Sequence, residues 1–238
     1  MVELYRNAGL DVYEKAHYAH GEHIDEVGKI LTWYTRSASR VLDVGCSGGL
    51  HALEFAARGH RVTGIDVEPS AVAVARKRNQ ERHLDARFHL MDIERDDLAG
   101  LGAFELIYSI GNVLSHVAKA RLGATLQKIR TCCADDGVVL FDLLMIGPDF
   151  PEEVREDGLG IVWKRKLDVA TGMIELRGDF ADFALSQEFQ VWGYTVEEAV
   201  SLLERAGFTA IEYADSLDFS PTRTKNGNPV CLRFRARG

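Results

Sequence analysis

The stretch Asp43-Val44-Gly45-Cys46-Ser47-Gly48-Gly49 sets an acid two residues before a run of glycines. Glycines in such a turn let the backbone approach a ligand closely and bend into a following helix. A dinucleotide fingerprint counted from Gly45 needs glycines where this chain has Ser47 and Leu50, and the Lys-Ser/Thr pair of a P-loop is absent. An anionic Asp43 repels a pyrophosphate and suits a ligand carrying an ammonium group. Two further acids follow apolar runs: Asp66 in Gly64-Ile65-Asp66 and Asp92 in Leu90-Met91-Asp92-Ile93. Asp66 is placed to accept from both hydroxyls of a ribose. Asp92 is placed to accept from an adenine amino group, with Val67 and Ile93 over the two faces of the purine. Any one of these acids alone reads equally as a helix N-cap or turn former. Three in series, joined to a glycine turn, predict a nucleoside site.

To converge, these residues must end consecutive strands of one sheet. Arg40–Val44, Arg61–Ile65, Ala86–Leu90, Phe104–Ser109 and Gly137–Leu143 read as short apolar strands, with helices predicted over Leu50–Arg58, Ser70–Arg82 and Lys119–Thr131. Gly59 is expected to stop the first of these helices and Pro69 to open the second. That alternation predicts a parallel sheet covered on both faces. Upstream, Ile24, Val27, Ile30, Leu31 and Tyr34 recur at helical spacing and predict a helix over Gly21–Thr35. Downstream, Leu159–Leu167, Met173–Phe183 and Gln187–Trp192 alternate like three antiparallel strands, with Ala170-Thr171-Gly172 as a turn. A helix over Thr195–Arg205 has capping-box spacing at Thr195 and Glu198 and ends at Gly207. Phe208–Tyr213 and Pro229–Phe234 read as the last strands.

Composition narrows the partners. With 46% hydrophobic and 27% charged residues the chain is ordinary globular protein, and its formal charge of −8 argues against a nucleic-acid partner, which needs a basic face. Cys46, Cys132, Cys133 and Cys231 show neither C-x-x-C nor zinc spacing, so reduced thiols and a cytoplasmic location are expected. No leader pattern or apolar run of spanning length occurs, so no membrane association is expected. The histidines are scattered, and no metal is expected.

VLDVGCSGG, GIDVEP and MDI resemble the first three motifs of the class I S-adenosylmethionine-dependent methyltransferases. The resemblance covers Arg40 to Leu143 and extends to YTVEEAVSLLERAGF. It departs from the family's usual G-x-G-x-G at Ser47, which replaces the middle glycine. It implies an α/β fold: a three-layer Rossmann-like sandwich with a mostly parallel seven-stranded sheet and an antiparallel insertion after strand five. Residues 1–39 would form an N-terminal helical cap, 40–146 the cofactor-binding core, 147–193 a substrate lid, and 194–238 the helix and strands completing the sheet. The implied cofactor is S-adenosyl-L-methionine, its product S-adenosyl-L-homocysteine. The residues implied to hold it are Asp43, Gly45, Cys46, Ser47, Gly49, Asp66, Val67, Met91, Asp92, Ile93 and Ser109.

The segment Ser109-Ile110-Gly111-Asn112-Val113-Leu114-Ser115-His116 is similar to the G-N-x-x-x-H segment of glycine N-methyltransferase-like enzymes, and to the strand-four segment of sugar amine N-methyltransferases. It implies a small-molecule methyl acceptor, methylated at an amine nitrogen, or at oxygen as the alternative. His116 would act as base or as substrate hydrogen-bond partner, against the reading that it merely packs on the next helix. Tyr13, with His17 and Tyr18, would close over the site, or else pack the first helix on the sheet. Asp142 either faces the amine or caps the loop before Gly147-Pro148. Trp163, Arg165, Arg177 and Trp192 are pocket or lid candidates without an assigned role. A nicotinamide oxidoreductase and a non-catalytic cofactor-binding module are the competing classes, and the chain is expected to be a monomer or homodimer.

Overall fold

Why successive residues of the first strand both vanish from solvent explains the architecture. In the computed structural model, which describes residues 8–148, 150–156, 160–219 and 231–238, β1 (Arg40–Val44) sends Val41 to one face of a sheet and Leu42 to the other. Both are completely buried. Side chains alternate across a strand, so a strand covered on both faces must be apolar throughout. Around β1 lie β2 (Arg61–Asp66), β3 (Ala86–Leu90), β4 (Phe104–Ser109), β5 (Cys133–Leu144), β10 (Thr209–Ala214) and β11 (Cys231–Arg237), in the order β10-β11-β5-β4-β1-β2-β3. β1 to β5 pair in parallel, while β11 runs antiparallel to β5 and to β10.

Helices α2 (Glu22–Trp33), α3 (Leu50–Ala57) and α4 (Pro69–Arg82) cover the Val41 face, and α5 (Lys119–Cys132) and α6 (Val196–Arg205) the Leu42 face. Pro69 stands at the start of α4, and Glu68 accepts from the Ser70 N–H at 3.2 Å. The Thr195–Glu198 capping box is complete. Gly59, at φ +90°, follows the end of α3.

Several elements depart from the sequence expectations: β5 begins at Cys133 rather than Gly137 and β11 runs on to Arg237, both extended by pairing to their neighbours. The N-terminal stretch contains an additional helix, α1 (Ala8–Tyr18), whose mixture of charge and aromatic rings carries no clean apolar stripe. The insertion is a sheet of four strands rather than three: β6 (Glu153–Glu156), β7 (Ile161–Asp168), β8 (Met173–Phe180) and β9 (Leu185–Trp192). β6 reads Glu-Val-Arg-Glu and offers no apolar alternation; backbone pairing to β7 makes it a strand. β8 stops at Phe180 because Ala181–Phe183 turns as a short 3-10 helix into Ala184 at φ +50°. Two termini of predicted strands, Leu159 and Pro229 with Val230, lie outside the described residues. The four-stranded sheet is tied to the end of β5, with the Tyr194 N–H donating to Leu144 O and the Ile146 N–H to Tyr194 O, both at 2.9 Å. No helix among the described residues is long and apolar enough to cross a membrane.

Candidate active site

The sheet order reverses between β1 and β4, and in open α/β sheets ligands bind beyond the carboxyl ends of strands at such a point. There the glycine turn is held from below. The Gly45 and Cys46 N–H groups donate to Ile65 O at 2.8 and 3.0 Å, and the Ser47 N–H donates to Asp66 Oδ2 at 2.8 Å. Gly45 has φ +80°, and a Cβ there would lie 2.5 Å from Val113 Cγ1, so the loop after β4 can close on it only because it is glycine. Ser47 also occupies the left-handed region, at φ +48°, which accounts for the family's glycine at that position.

A cavity of about 350 Å³ opens over this turn. Asp43, Gly45, Cys46, Ser47, Asp66, Val67, Met91, Asp92 and Ile93 line it, as do Tyr13 and His116. Two expected contacts are not among the lining residues. Gly49, at φ +83°, faces Ala75 and Phe88 instead, where a Cβ would lie 2.9 and 3.2 Å from them, so it serves the packing of α3 against the sheet. Ser109 is buried and donates its hydroxyl to Val44 O at 2.9 Å, bracing β4 against β1.

Each acid has a distinct setting. Asp43 is 4% exposed and accepts from the Tyr108 hydroxyl at 2.7 Å. Burial pushes its carboxyl up to about 7, opposed by the Tyr108 hydrogen bond. Burial also raises Asp66, whose two oxygens accept one backbone N–H each, from Ser47 at 2.8 Å and Glu68 at 2.9 Å. A carboxylate has about four lone-pair sites, and Asp66 lines the cavity. Asp92 accepts from the Glu94 N–H at 2.9 Å.

Helix α1 forms part of the roof. Arg78 forks onto Glu14, Nη1 to Oε1 at 2.7 Å and Nη2 to Oε2 at 2.6 Å, while Nη1 also donates to Gly48 O at 2.9 Å. This bidentate pair locks α1, α4 and the glycine turn together. Sequence inspection missed it because Glu14 and Arg78 are 64 residues apart. Tyr13, His17 and Tyr18 come together on α1, with ring centroids 4.6 Å apart for Tyr13–His17 and 6.0 Å for Tyr13–Tyr18. Desolvation raises the Tyr13 and Tyr18 phenols, so both stay protonated at neutral pH.

Beyond the roof lies a second cavity, of about 310 Å³, between the main sheet and the four-stranded one. Tyr13, Tyr18, Ile110, Gly111 and His116 line both cavities. His116 stacks on Phe189 of β9, 5.4 Å between centroids, and desolvation holds its imidazolium down at about 4, so the ring is neutral at physiological pH. Asp142 neither caps the Gly147-Pro148 loop nor stands free: Oδ2 accepts from the Gly111 N–H at 3.0 Å and Oδ1 from the Asn112 N–H at 2.6 Å, which fixes the loop at the junction. Trp163 and Arg165 line the second cavity; Arg177 and Trp192 do not.

Comparison with known proteins agrees with this geometry. A family model described as a methyltransferase domain matches residues 41–137. A protein of Geobacillus sp. (strain WCH70), assigned as a methyltransferase, is 25% identical over 214 residues, 83% of this chain and 86% of that one. Among solved structures, an S-adenosylmethionine-dependent methyltransferase from Clostridium acetobutylicum ATCC 824 superposes with TM-score 0.76 at 13% identity, over 97% of this chain and 98% of that one. The sugar N-methyltransferase KedS8 from Streptoalloteichus sp ATCC 53650 superposes with TM-score 0.67 at 17% identity, over 98% and 92%. At such identities the structural likeness is one of fold. With the domain match and the motifs at the strand ends, it marks residues 41–137 as a methyltransferase domain in a chain with the fold of the class I S-adenosylmethionine-dependent methyltransferases.

Proposed function

We propose that the first cavity holds S-adenosylmethionine and that the second presents an amine nitrogen of a small molecule to its methyl group. One observation carries this reading: two cavities meet at a junction lined by Tyr13, Tyr18, Ile110, Gly111 and His116. The sugar N-methyltransferase of the same fold supports nitrogen as the acceptor atom.

The residues present fit the cofactor. Asp66 has lone pairs left for the ribose hydroxyls, Val67 and Ile93 offer apolar cover for the purine, and Asp43 suits the ammonium of the methionine moiety. Gly45, Cys46, Ser47, Met91 and Asp92 complete the wall, while Gly49 and Ser109 act by holding the turn and strand in place. When bound, the sulfonium supplies an electrophilic methyl group: the new N–C bond forms as the C–S bond breaks, leaving S-adenosylhomocysteine and a proton. The chain's part is to align the nitrogen and exclude water. Tyr13 and Tyr18 offer aromatic faces to a cation at the junction. His116, neutral and only weakly basic, accepts a hydrogen bond from the amine rather than taking its proton, so the acceptor reacts from its free-base form.

The reading is tested by titrating the chain calorimetrically with S-adenosylhomocysteine, NADH and NADPH, then assaying methyl transfer to a panel of amines and phenols. Binding of the homocysteine compound with turnover of amines is expected. Nicotinamide binding overturns the cofactor assignment, and turnover of phenols alone overturns nitrogen.

Two results are expected to follow. His116→Ala should lower kcat by about tenfold to a hundredfold while leaving S-adenosylhomocysteine affinity within about twofold. With S-adenosylmethionine saturating at every pH, so that Asp43 does not enter, the kcat–pH profile of the unsubstituted enzyme should show no limb near the ordinary imidazole range. A limb there that vanishes in the variant would restore His116 as the base. The second result concerns Asp43. Its carboxyl carries a proton below about pH 7, and a neighbouring ammonium favours the ionised form. Cofactor affinity should therefore rise with pH up to about 7 and level off above it, with proton release on binding at pH 6. Titrations in buffers of different ionisation enthalpy read that proton directly, and its absence would remove Asp43 from the ammonium's surroundings.

A further inference from the structure

The second cavity is apolar on one wall and cationic on another. On the face of the four-stranded sheet turned to it, Arg165, Leu176 and Phe189 stand in register across β7, β8 and β9, and His116 stacks on Phe189 at the end of that row. On the main sheet, Arg233 of β11 pairs across from Asp142 of β5, one strand spacing from the carboxylate that holds Gly111 at the junction. Two arginines thus line a chamber whose remaining lining includes Trp163, Leu144 and Val191.

The acids of the same chamber are already engaged. Asp142 accepts two backbone N–H bonds, and Glu26 Oε2 lies 2.6 Å from His51 Nε2. Arg233 donates from Nη1 to Asp215 O, but its Nε–H is buried with no acceptor among the described residues. A buried donor at a cationic group is costly to leave unmatched, and an anionic oxygen would match it best.

Resting on the amine-acceptor reading above, we propose that the methyl acceptor also carries a carboxylate, bound by Arg233 and Arg165, with an apolar or aromatic body against Trp163 and Phe189. A carboxylate buries one negative charge beside the guanidiniums, where a dianionic phosphate would bury two. The volume, near the lower end of the range for small-molecule sites, suits a single amino-acid-sized body.

The test is calorimetric titration of the chain saturated with S-adenosylhomocysteine. The ligands are apolar and aromatic amino acids, the amines left by removing the carboxylate, the acids left by removing the amine, and amine phosphates. Amino acids should bind about tenfold to a hundredfold more tightly than the matched amines. Arg165→Gln and Arg233→Gln should each erase that preference with S-adenosylhomocysteine affinity unchanged, which also reports that the variants fold, and Arg233→Lys should keep part of it. Equal binding of amines and amino acids, tighter binding of amine phosphates, or no binding by any amino acid at millimolar concentration overturns the proposal. If the deaminated acids bind as tightly as the amino acids, the carboxylate site stands and the nitrogen reading falls instead.

Discussion

Gly45→Ala is expected to cost about 2–5 kcal/mol of stability and to weaken S-adenosylhomocysteine by at least about a hundredfold. Two effects add. At φ +80° an L side chain is strained by roughly 1–2 kcal/mol. The new Cβ would lie 2.5 and 2.6 Å from the two Val113 methyls, and relieving that overlap costs about 1–3 kcal/mol more. Relief moves either Val113 or the glycine turn, and both line the cavity. Gly59→Ala separates the two effects, because Gly59 has φ +90° but nothing within 4 Å of an added Cβ. It should show the backbone strain alone and leave ligand affinity intact. Thermal or denaturant unfolding of both variants, with calorimetry, makes the comparison. Equal losses would mean that Val113 yields freely and that the turn tolerates a side chain.

Asp66→Ala should weaken S-adenosylhomocysteine by about two to four orders of magnitude. The change removes an acceptor for two ligand hydroxyls, each bond to a carboxylate being worth about 1.5–3 kcal/mol. It also strips the Ser47 and Glu68 N–H groups of their partner, loosening the left-handed Ser47 in the turn. Asp66→Asn keeps one carbonyl oxygen but sets its NH2 against the Ser47 or the Glu68 N–H, so it should be about tenfold weaker in affinity than the parent and lose about 1–3 kcal/mol of stability. If both variants bind as the parent does, Asp66 braces the turn and the ribose is held elsewhere.

Much of the framework was legible along the chain because it is local. Parallel strands buried on both faces have to be apolar runs, so β1 to β4 stand within a residue of their predicted limits. The position of Asp43, Asp66 and Asp92 at or just past the carboxyl ends of those strands follows from the alternation of strand and helix. Local caps were equally readable: Thr195 and Glu198 lie within one turn of each other.

What could not be read rests on contacts between residues far apart in the chain. Tyr108 holds Asp43 across 65 residues, and Arg78 holds Glu14 across 64, and neither pair leaves a periodic trace. Helix α1 buries Leu10 and Ala16 amid charged and aromatic residues, a short pattern that becomes a stable helix through what it covers. β6 is a strand only through its partner β7. Ser109 and Gly49 look like ligand contacts by motif, yet packing turns them to Val44 and Phe88. The residue types and their order thus determined the sheet, the glycine turn and the acids at its edge, since these depend on hydrophobic period and backbone conformation. Tertiary structure alone decided the second cavity, because Arg165, His116 and Arg233 belong to separate elements and meet only when the four-stranded sheet folds back over β5 and β11.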